Sequence, residues 1–354
     1  MRGMREYRGL WALGAAAFGV MALGKVAVAD VTTEQGGSIV VWPKVIWDGQ
    51  RDTLIQLSNI YNLMVHAHCV YINGAPLNPL LPPSDRNPPQ WTETDFDLWL
   101  SKQQPTHWTA SGGRRVSALD VFGSDGSGLD PGVIPPLPLG FTGELKCILV
   151  SESGEPWAGN KLKGEATIRT LTSDVSRYNA IAIPGNSNLS GIQIGSELEL
   201  NLTNSNPNGE YASCPNTLAF SFFADGGLDP VTGGPIQTTL TLVPCNEDIE
   251  NGIPSQVTVS IDITNEFEEH LSRSIQVDCW LNRTLSEIGA AFTPGSLGSL
   301  TGHARLTPSG SEGGVIGVAE ELRSSVAWAA FNLQVEGNRF DAAGVTDTIT
   351  IPAL

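Results

Sequence analysis

The fold is decided by two β-rich runs, Asp52-Thr-Leu-Ile-Gln-Leu-Ser-Asn59 and, after a short break, Val65-His-Ala-His-Cys-Val-Tyr-Ile-Asn-Gly74. Side chains alternate between the two faces of an extended strand. In the first run one face carries Thr53, Ile55 and Leu57, and in the second run one face carries Val65, Ala67, Cys69 and Tyr71. Two such runs joined by a short turn that contains asparagine predict a hairpin at the centre of an antiparallel sandwich.

The rest of the chain extends this β pattern. It has 39 glycines and 23 prolines, which favour many turns between short strands. The best helical window, residues 318–330, contains β-branched residues and stays ambiguous. The composition therefore predicts an all-β protein of two antiparallel immunoglobulin-like β-sandwich domains. Residues 184–190 have the composition of a linker, so that the domains are expected at 30–185 and 186–354.

Residues 1–29 have the pattern of a signal peptide. Arg2, Arg5 and Arg8 precede an apolar run, and Ala27-Val28-Ala29 supplies the small residues that signal peptidase requires before Asp30. The run is shorter than the roughly 18 residues of a spanning helix, and no later run reaches that length. We therefore expect a protein that is secreted, periplasmic or at the cell surface, with no membrane span after cleavage.

The charge of the chain excludes one class of partner. The net charge is −17, and removal of residues 1–29, with four basic residues and one acidic residue, makes it −20. Such a chain repels phosphate backbones, so nucleic acid is excluded. A protein or a surface polysaccharide remains as the expected partner, and self-assembly is compatible with the sequence.

Five cysteines in an exported chain predict disulfides with one thiol left over. The β-rich runs 217–224 and 236–243 flank a turn-rich loop, and a hairpin about its middle places Cys214 opposite Cys245. By elimination Cys69 pairs with Cys147. Cys279 is then the free thiol, and we expect it to be buried.

An internal duplication is suggested by two stretches. Residues 257–282 repeat the pattern of the opening runs, with Cys279 in the place of Cys69. Residues 300–306 and 311–314 likewise repeat residues 141–147 and 152–154, although Cys147 has no cysteine counterpart. A rival register aligns residues 125–131 with 225–230, and both cannot hold along the whole chain.

Several runs resemble a group of exported bacterial β-sandwich proteins with no assigned activity. They are Pro43-Lys-Val-Ile46, Arg51-Asp-Thr-Leu-Ile-Gln-Leu-Ser-Asn59, Thr94-Asp-Phe-Asp97, Lys102-Gln-Gln-Pro-Thr106 and Lys161-Leu-Lys-Gly-Glu-Ala-Thr167. The resemblance covers roughly residues 38–185 and implies export and fold, but no chemistry. Such relatives have a further cysteine where this chain has Trp91.

Two groups of residues are candidates for metal binding. His66 and His68 lie two apart on a strand and point to one face, as in sandwich copper and zinc sites. A third ligand would have to come from His107, His270 or His303, and the alternative is a half-exposed sheet face. Acidic residues in Gly-rich loops are candidates for calcium, or else for ordinary turns. These are Asp120, Asp125 and Asp130 in one loop and Asp225 and Asp229 in another.

Catalytic signatures are weak. The sequence has no G-x-S-x-G, H-E-x-x-H, C-x-x-C or phosphate-binding Gly-Lys-Ser/Thr motif. Pairs of acids suited to a glycosidase occur at Glu93 and Asp95 and at Glu266, Glu268 and Glu269, but chance explains such pairs in an acidic chain. The sequence thus predicts a non-catalytic protein with a structural or adhesive role at the cell surface or in the matrix.

Aromatic residues offer an alternative function, the binding of carbohydrate. Trp91, Trp99 and Trp108 surround a Pro-rich loop, and indole rings on a rigid sandwich stack against sugar rings. The competing explanation is that Trp99 and Trp108 fill the core. Loops 76–92 and 123–140 are the segments in which we expect contact residues.

Overall fold

A computed structural model describes residues 30–81, 86–114, 132–171, 174–189, 194–310, 312–323 and 327–352. The predicted signal peptide lies outside these residues. Nine strands form the first half of the chain. They are β1 (Ile39–Trp47), β2 (Arg51–Asn59), β3 (Val65–Asn73), β4 (Thr92–Leu100), β5 (Pro105–Thr109), β6 (Phe141–Val150), β7 (Leu162–Thr170), β8 (Val175–Asn179) and β9 (Ile181–Ile183).

These strands form a β-sandwich of two layers. The first, here called the β3 layer, has the order β4-β3-β6-β1-β9, and the second, the β2 layer, has the order β5-β2-β7-β8. The layers join at one corner, where Trp47 of β1 pairs with Asp52 of β2. Inward side chains of both layers bury a shared core. The all-β sandwich expected from the sequence is therefore present.

The hairpin predicted between β2 and β3 is wrong. Leu54 of β2 pairs with Thr109 of β5 and Thr167 of β7, whereas β3 pairs with β4 and β6. The two runs lie in opposite layers and bury their apolar faces against the same core, for example Ile55 and Tyr71. The alternation identifies the buried face of a strand, but it does not identify the neighbouring strand.

The second half of the chain contains thirteen strands and three short helices among the described residues. The strands are β10 (Glu197–Leu202), β11 (Tyr211–Ala212), β12 (Pro215–Phe223), β13 (Ile236–Pro244), β14 (Glu247–Asp248), β15 (Gln256–Asn265), β16 (His270–Asp278), β17 (Leu281–Thr284), β18 (Thr301–Pro308), β19 (Val315–Arg323), β20 (Ala327–Asn332), β21 (Gln334–Asn338) and β22 (Asp347–Thr350). The helices are α1 (Leu285–Ile288), α2 (Pro294–Leu297) and α3 (Arg339–Ala343). No described helix is long and apolar enough to cross a membrane.

A second sandwich forms from two of these sheets. One has the order β16-β15-β18-β12-β21 and the other β17-β13-β19-β20, with an apolar core between them. In the ambiguous window 318–330, the described residues 318–323 belong to β19 and 327–330 to β20, so these parts are strands and not helix. In the register of the suggested duplication β15 and β16 correspond to β2 and β3. However, β15 pairs directly with β16, so the two stretches differ in topology. Duplication and an immunoglobulin-like topology stay predictions.

A third core joins the two halves. The outer face of the β3 layer, which points away from the β2 layer, carries Ile39, Val70 and Ile148. These residues pack against the remaining sheet, β11-β10-β22-β14, whose apolar residues include Leu200 and Ile349. The expected domain boundary at residue 185 falls between β9, which pairs with β1, and β10, which pairs with β22.

The structure contains both disulfides expected from the sequence, Cys69–Cys147 and Cys214–Cys245. Cys69 and Cys147 are direct partners on β3 and β6, with 4.0 Å between their Cα atoms. The hairpin reasoning for Cys214 and Cys245 is wrong, because β12 and β13 belong to different sheets. That bond links two sheets beside the third core. Cys279 is free and buried, and burial, with nearby carboxylates, raises its pKa to about 12.

Candidate functional site

The outer face of the β3 layer is built from rows of side chains that cross β4, β3 and β6. Alternation places every second residue of each strand on this face. The rows, set by the strand register, are Trp99–His66–Val150, Asp97–His68–Ile148, Asp95–Val70–Lys146 and Glu93–Ile72–Glu144. The second half covers one end of this face, where Val70, Ile72 and Ile148 are buried in the third core. The row of Trp99 lies at the other end.

A groove with a volume of about 490 Å³ lies at that uncovered end. Its lining comprises Leu63, Met64, Val65, His66, Trp99, Val150, Ser151, Glu152, Pro156 and Trp157. The β2–β3 loop forms one wall, and the turn after β6 forms the other. Leu63 is 60% exposed and Met64 57% exposed, so the groove presents apolar side chains to solvent. We refer to it as the aromatic groove.

The floor of the aromatic groove is a stacked pair of rings. The rings of His66 and Trp99 lie 4.1 Å apart at an angle of 6°. Nδ1 of His66 lies 2.9 Å from the carbonyl oxygen of Ser151, and Nε2 lies 3.0 Å from Oδ1 of Asp97. Both partners are acceptors, so a ring nitrogen that carries a proton donates it to the oxygen that it faces. Two hydrogen bonds and one stacking contact hold the His66 ring in place before any ligand arrives.

Beside the groove, Lys161 lies between two aromatic rings. Its Nζ is 3.1 Å from the centroid of the Trp157 ring and 4.0 Å from that of Tyr61. Aromatic faces attract cations, most strongly where water is excluded. Burial lowers the pKa of Lys161 to about 8. One face of Trp157 is therefore occupied by an ammonium group of the chain itself.

The histidine pair shares one carboxylate. His68 is fully buried, and its Nδ1 lies 3.2 Å from Oδ1 of Asp97, the oxygen that also contacts His66. The expectation that His66 and His68 point to one face is confirmed by the register. Within the described part of the chain no three His, Cys, Asp or Glu residues form a group that could hold a metal. His107, His270 and His303 lie on β5, β16 and β18. Metal binding stays an untested prediction.

The acidic loops expected to bind calcium are described only in part. Asp120, Asp125 and Asp130 lie outside the described residues. Asp225 accepts hydrogen bonds from the backbone N–H groups of Thr238 and Ser286. Asp229 accepts from the hydroxyl of Thr232, three residues further on, as in ordinary turns. Both carboxylates thus stabilise their own loop and its neighbours.

Of the three tryptophans predicted to bind carbohydrate, Trp99 lines the groove. Trp108 is 3% exposed in the first core, and its Nε1 donates to the hydroxyl of Tyr71 at 2.6 Å. Trp91 packs against the third core. Trp108 therefore fills the core, as the competing explanation holds, whereas Trp91 is half-buried and does not line the groove. The sequence reasoning also missed Trp157 and the exposed pair Leu63 and Met64, since turns carry no periodic signal.

The acidic residues considered for catalysis do not line the groove. Glu93 and Asp95 continue along the outer face of β4, beyond Trp99 and Asp97. Glu266 accepts a hydrogen bond from Thr301, and Glu269 accepts one from Asn265.

Comparison with known proteins adds little. No protein-family model matches the chain, and no curated protein matches it. Among solved structures, the naturally occurring empty top component of cowpea mosaic virus aligns at 11% identity over 92% of this chain and 100% of that chain. Its TM-score is 0.16, which carries no argument about fold or function.

Proposed function

We propose that this chain is an exported, non-catalytic adhesive protein that holds a surface polysaccharide in its aromatic groove. One observation carries the proposal: the indole of Trp99, held by face-to-face stacking on the His66 ring, lines an open groove of about 490 Å³. Sugar rings present apolar C–H faces that stack on such aromatic surfaces. The floor is held by hydrogen bonds already, so a ligand orders few side chains on binding.

The rim of the groove suits the hydroxyl groups of a sugar. Asp97 is 48% exposed, and Glu152 is exposed. The hydroxyls of Ser151 and Ser153 lie 2.8 Å apart on the same turn. A ring that stacks on the floor is therefore surrounded by acceptors and hydroxyls on one side. Leu63 and Met64 present apolar side chains on the other side.

Export is supported by features outside the groove. The predicted signal peptide precedes a chain with two disulfides, which form and persist in oxidising compartments. The proposal places the binding site at residues 63–66, at Trp99 and at residues 150–157, and not in the loops 76–92 and 123–140 favoured by the sequence.

A binding assay on the purified mature chain tests this function. We expect titration with soluble cell-surface polysaccharides and a panel of oligosaccharides to show saturable binding. The change Trp99→Ala should weaken binding at least tenfold, which corresponds to about 1.4 kcal/mol. The matched control is Trp328→Ala, which removes a half-buried tryptophan from strand β20 of the second sandwich.

Two results would contradict the proposal. One is the absence of binding across the panel, and the other is equal loss of binding in both tryptophan variants. Hydrolysis of any polysaccharide by the purified chain would contradict the non-catalytic part.

A further inference from the structure

The outer face of β4 continues the aromatic groove toward the second half. After Trp99 this face carries Asp97, Asp95 and Glu93, each two residues from the next. Alternate residues of a strand are about 7 Å apart. Asp95 and Asp97 are exposed, so the line stays open to solvent. It ends at Glu93, close to Asp248 of the second half. We call these three side chains the acidic line.

Part of the acidic line lacks a neutralising partner. Asp97 contacts His66 and His68, but among the described residues no Lys or Arg forms an ion pair with Asp95 or Glu93. Oε1 of Glu93 is buried and has no hydrogen-bond partner in the described structure. Burial raises the pKa of Glu93, and the negative charges of Asp95 and Asp248 raise it further. A cation placed here would remove this repulsion.

We propose that the polysaccharide of the aromatic groove carries free amino groups, with a sugar ring against the indole of Trp99 and an ammonium group beside Asp95. This inference rests on the proposed function, because it names the class of sugar that the same groove binds. A chain of amino sugars presents rings and ammonium groups in turn. It therefore matches the aromatic floor at one end of the line and the carboxylates at the other.

An ammonium group fits this place better than a metal ion does. Calcium takes six to eight oxygen ligands, and no described group of three acidic side chains is spaced to hold a metal. An ammonium is satisfied by one or two carboxylates and by an aromatic face. Lys161 shows the second contact beside this groove, with its ammonium held by Trp157 and Tyr61. The net charge, −17 for the full sequence and −20 without residues 1–29, also attracts a polycation in a salt-dependent way.

Three oligosaccharides of equal length and linkage test the inference: β-1,4-linked hexamers of glucosamine, N-acetylglucosamine and glucose. Calorimetric titration should show that the glucosamine hexamer binds at least tenfold more tightly than the other two at about 20 mM salt. The preference should shrink at about 200 mM salt, where exposed charges are screened. The change Asp95→Asn should remove most of the preference and leave binding of the N-acetylated hexamer unchanged.

The matched control is Asp262→Asn, on an exposed position of strand β15 in the second sandwich, which should change nothing. Asp95→Ser is a second variant, and thermal melting shows that each variant folds. Equal binding of the three hexamers, with binding lost in Trp99→Ala, would overturn the amino-sugar inference and leave the proposed function standing. An unchanged preference in a folded Asp95→Asn variant would overturn it too. Absence of binding by every hexamer and polysaccharide would overturn the proposed function itself.

Discussion

The two ends of the outer face of the β3 layer differ in how they are completed. At one end Val70 and Ile72 are sealed under the second half, and Lys146 lies beside Glu144 and 2.6 Å from Glu247 of β14. At the other end Trp99 and His66 meet solvent. The same strands therefore form both the buried contact with the second half and an open groove. A contiguous apolar surface that the fold leaves uncovered is typical of a binding site.

The covered end is closed by buried charges as well as by apolar packing. Lys146, Glu144 and Glu247 are each at most 3% exposed. A second ion pair joins Lys44 of β1 to Glu320 of β19 at 2.9 Å, with Ser176 also donating to Glu320. Pairs of this kind contribute little to net stability, but the loss of one partner is severe because it leaves a buried charge. They therefore favour one relative placement of the halves.

The largest effect is expected from breaking the covered end. Lys146→Ala leaves the carboxyl groups of Glu144 and Glu247 together without a cation, and should lower the free energy of unfolding by about 3–5 kcal/mol. Urea unfolding measures the change. The control Lys102→Ala removes an exposed lysine and should stay within about 0.5 kcal/mol. A loss below about 1 kcal/mol for Lys146→Ala would show that the buried charges are not coupled as the structure indicates.

A second change, Gly74→Ala, introduces a steric clash between the two halves. A Cβ atom on Gly74 would lie 2.5 Å from the indole ring of Trp280, whose Nε1 donates to the carbonyl oxygen of Pro43 at 2.8 Å. Gly74→Ala should therefore cost about 1–3 kcal/mol, as overpacking does. Gly195→Ala is the matched control, because a Cβ there meets nothing within 4 Å. Equal melting temperatures for both variants would contradict this account of the interface.

The covered end should also respond to pH. Burial, and then the charge of Glu144, raises the pKa of Glu247 well above its usual value of 4.5. Between pH 4.5 and the pKa of Glu247 in the folded chain, the folded chain holds a proton that the unfolded chain has released. The contribution of Glu247 to stability is therefore fully present below pH 4.5 and is lost as the pH rises through the folded pKa. Within this window the slope from one group is at most about 1.4 kcal/mol per pH unit. Glu247→Gln should remove this pH dependence. If the unfolding free energies of Glu247→Gln and of the unchanged chain vary with pH in the same way, the dependence does not come from Glu247.

The smallest effect is expected at the open end. Tyr61→Ala removes one of two rings around Lys161 and should cost about 0.5–1 kcal/mol. It also admits water, so the pKa of Lys161 should rise from about 8 toward its ordinary value of 10.5. NMR titration of the lysine side chains measures this shift. The control is Leu63→Ala, which leaves both rings around Lys161 intact. Tyr7 lies in the predicted signal peptide, so the remaining tyrosines are those of residues 30–354. A pKa that stays near 8 in Tyr61→Ala would show that Trp157 alone shields the ammonium.

The sequence predicted the direction of individual side chains in the candidate site, but it did not predict which residues the site brings together. The alternation of β3 correctly placed His66 and His68 on one face, and the aromatic residue of β4 was recognised in Trp99. The same reasoning grouped Trp99 with Trp108, although alternation along β5 turns Trp108 into the first core. Trp157 was missed because it lies in the short segment between β6 and β7, which is too short to show a period that marks its direction.

What the sequence determined by itself is the class of the fold and the buried face of strands such as β2 and β3. These follow from local rules, the two-residue period of an extended backbone and the turn residues that interrupt it. The tertiary structure alone decided that β2 and β3 lie in opposite layers, and that the second half covers one end of the β3 layer and leaves the other open. Those choices depend on contacts between residues far apart in the chain. A pattern that repeats every second residue says which side of a strand is buried, but not what buries it.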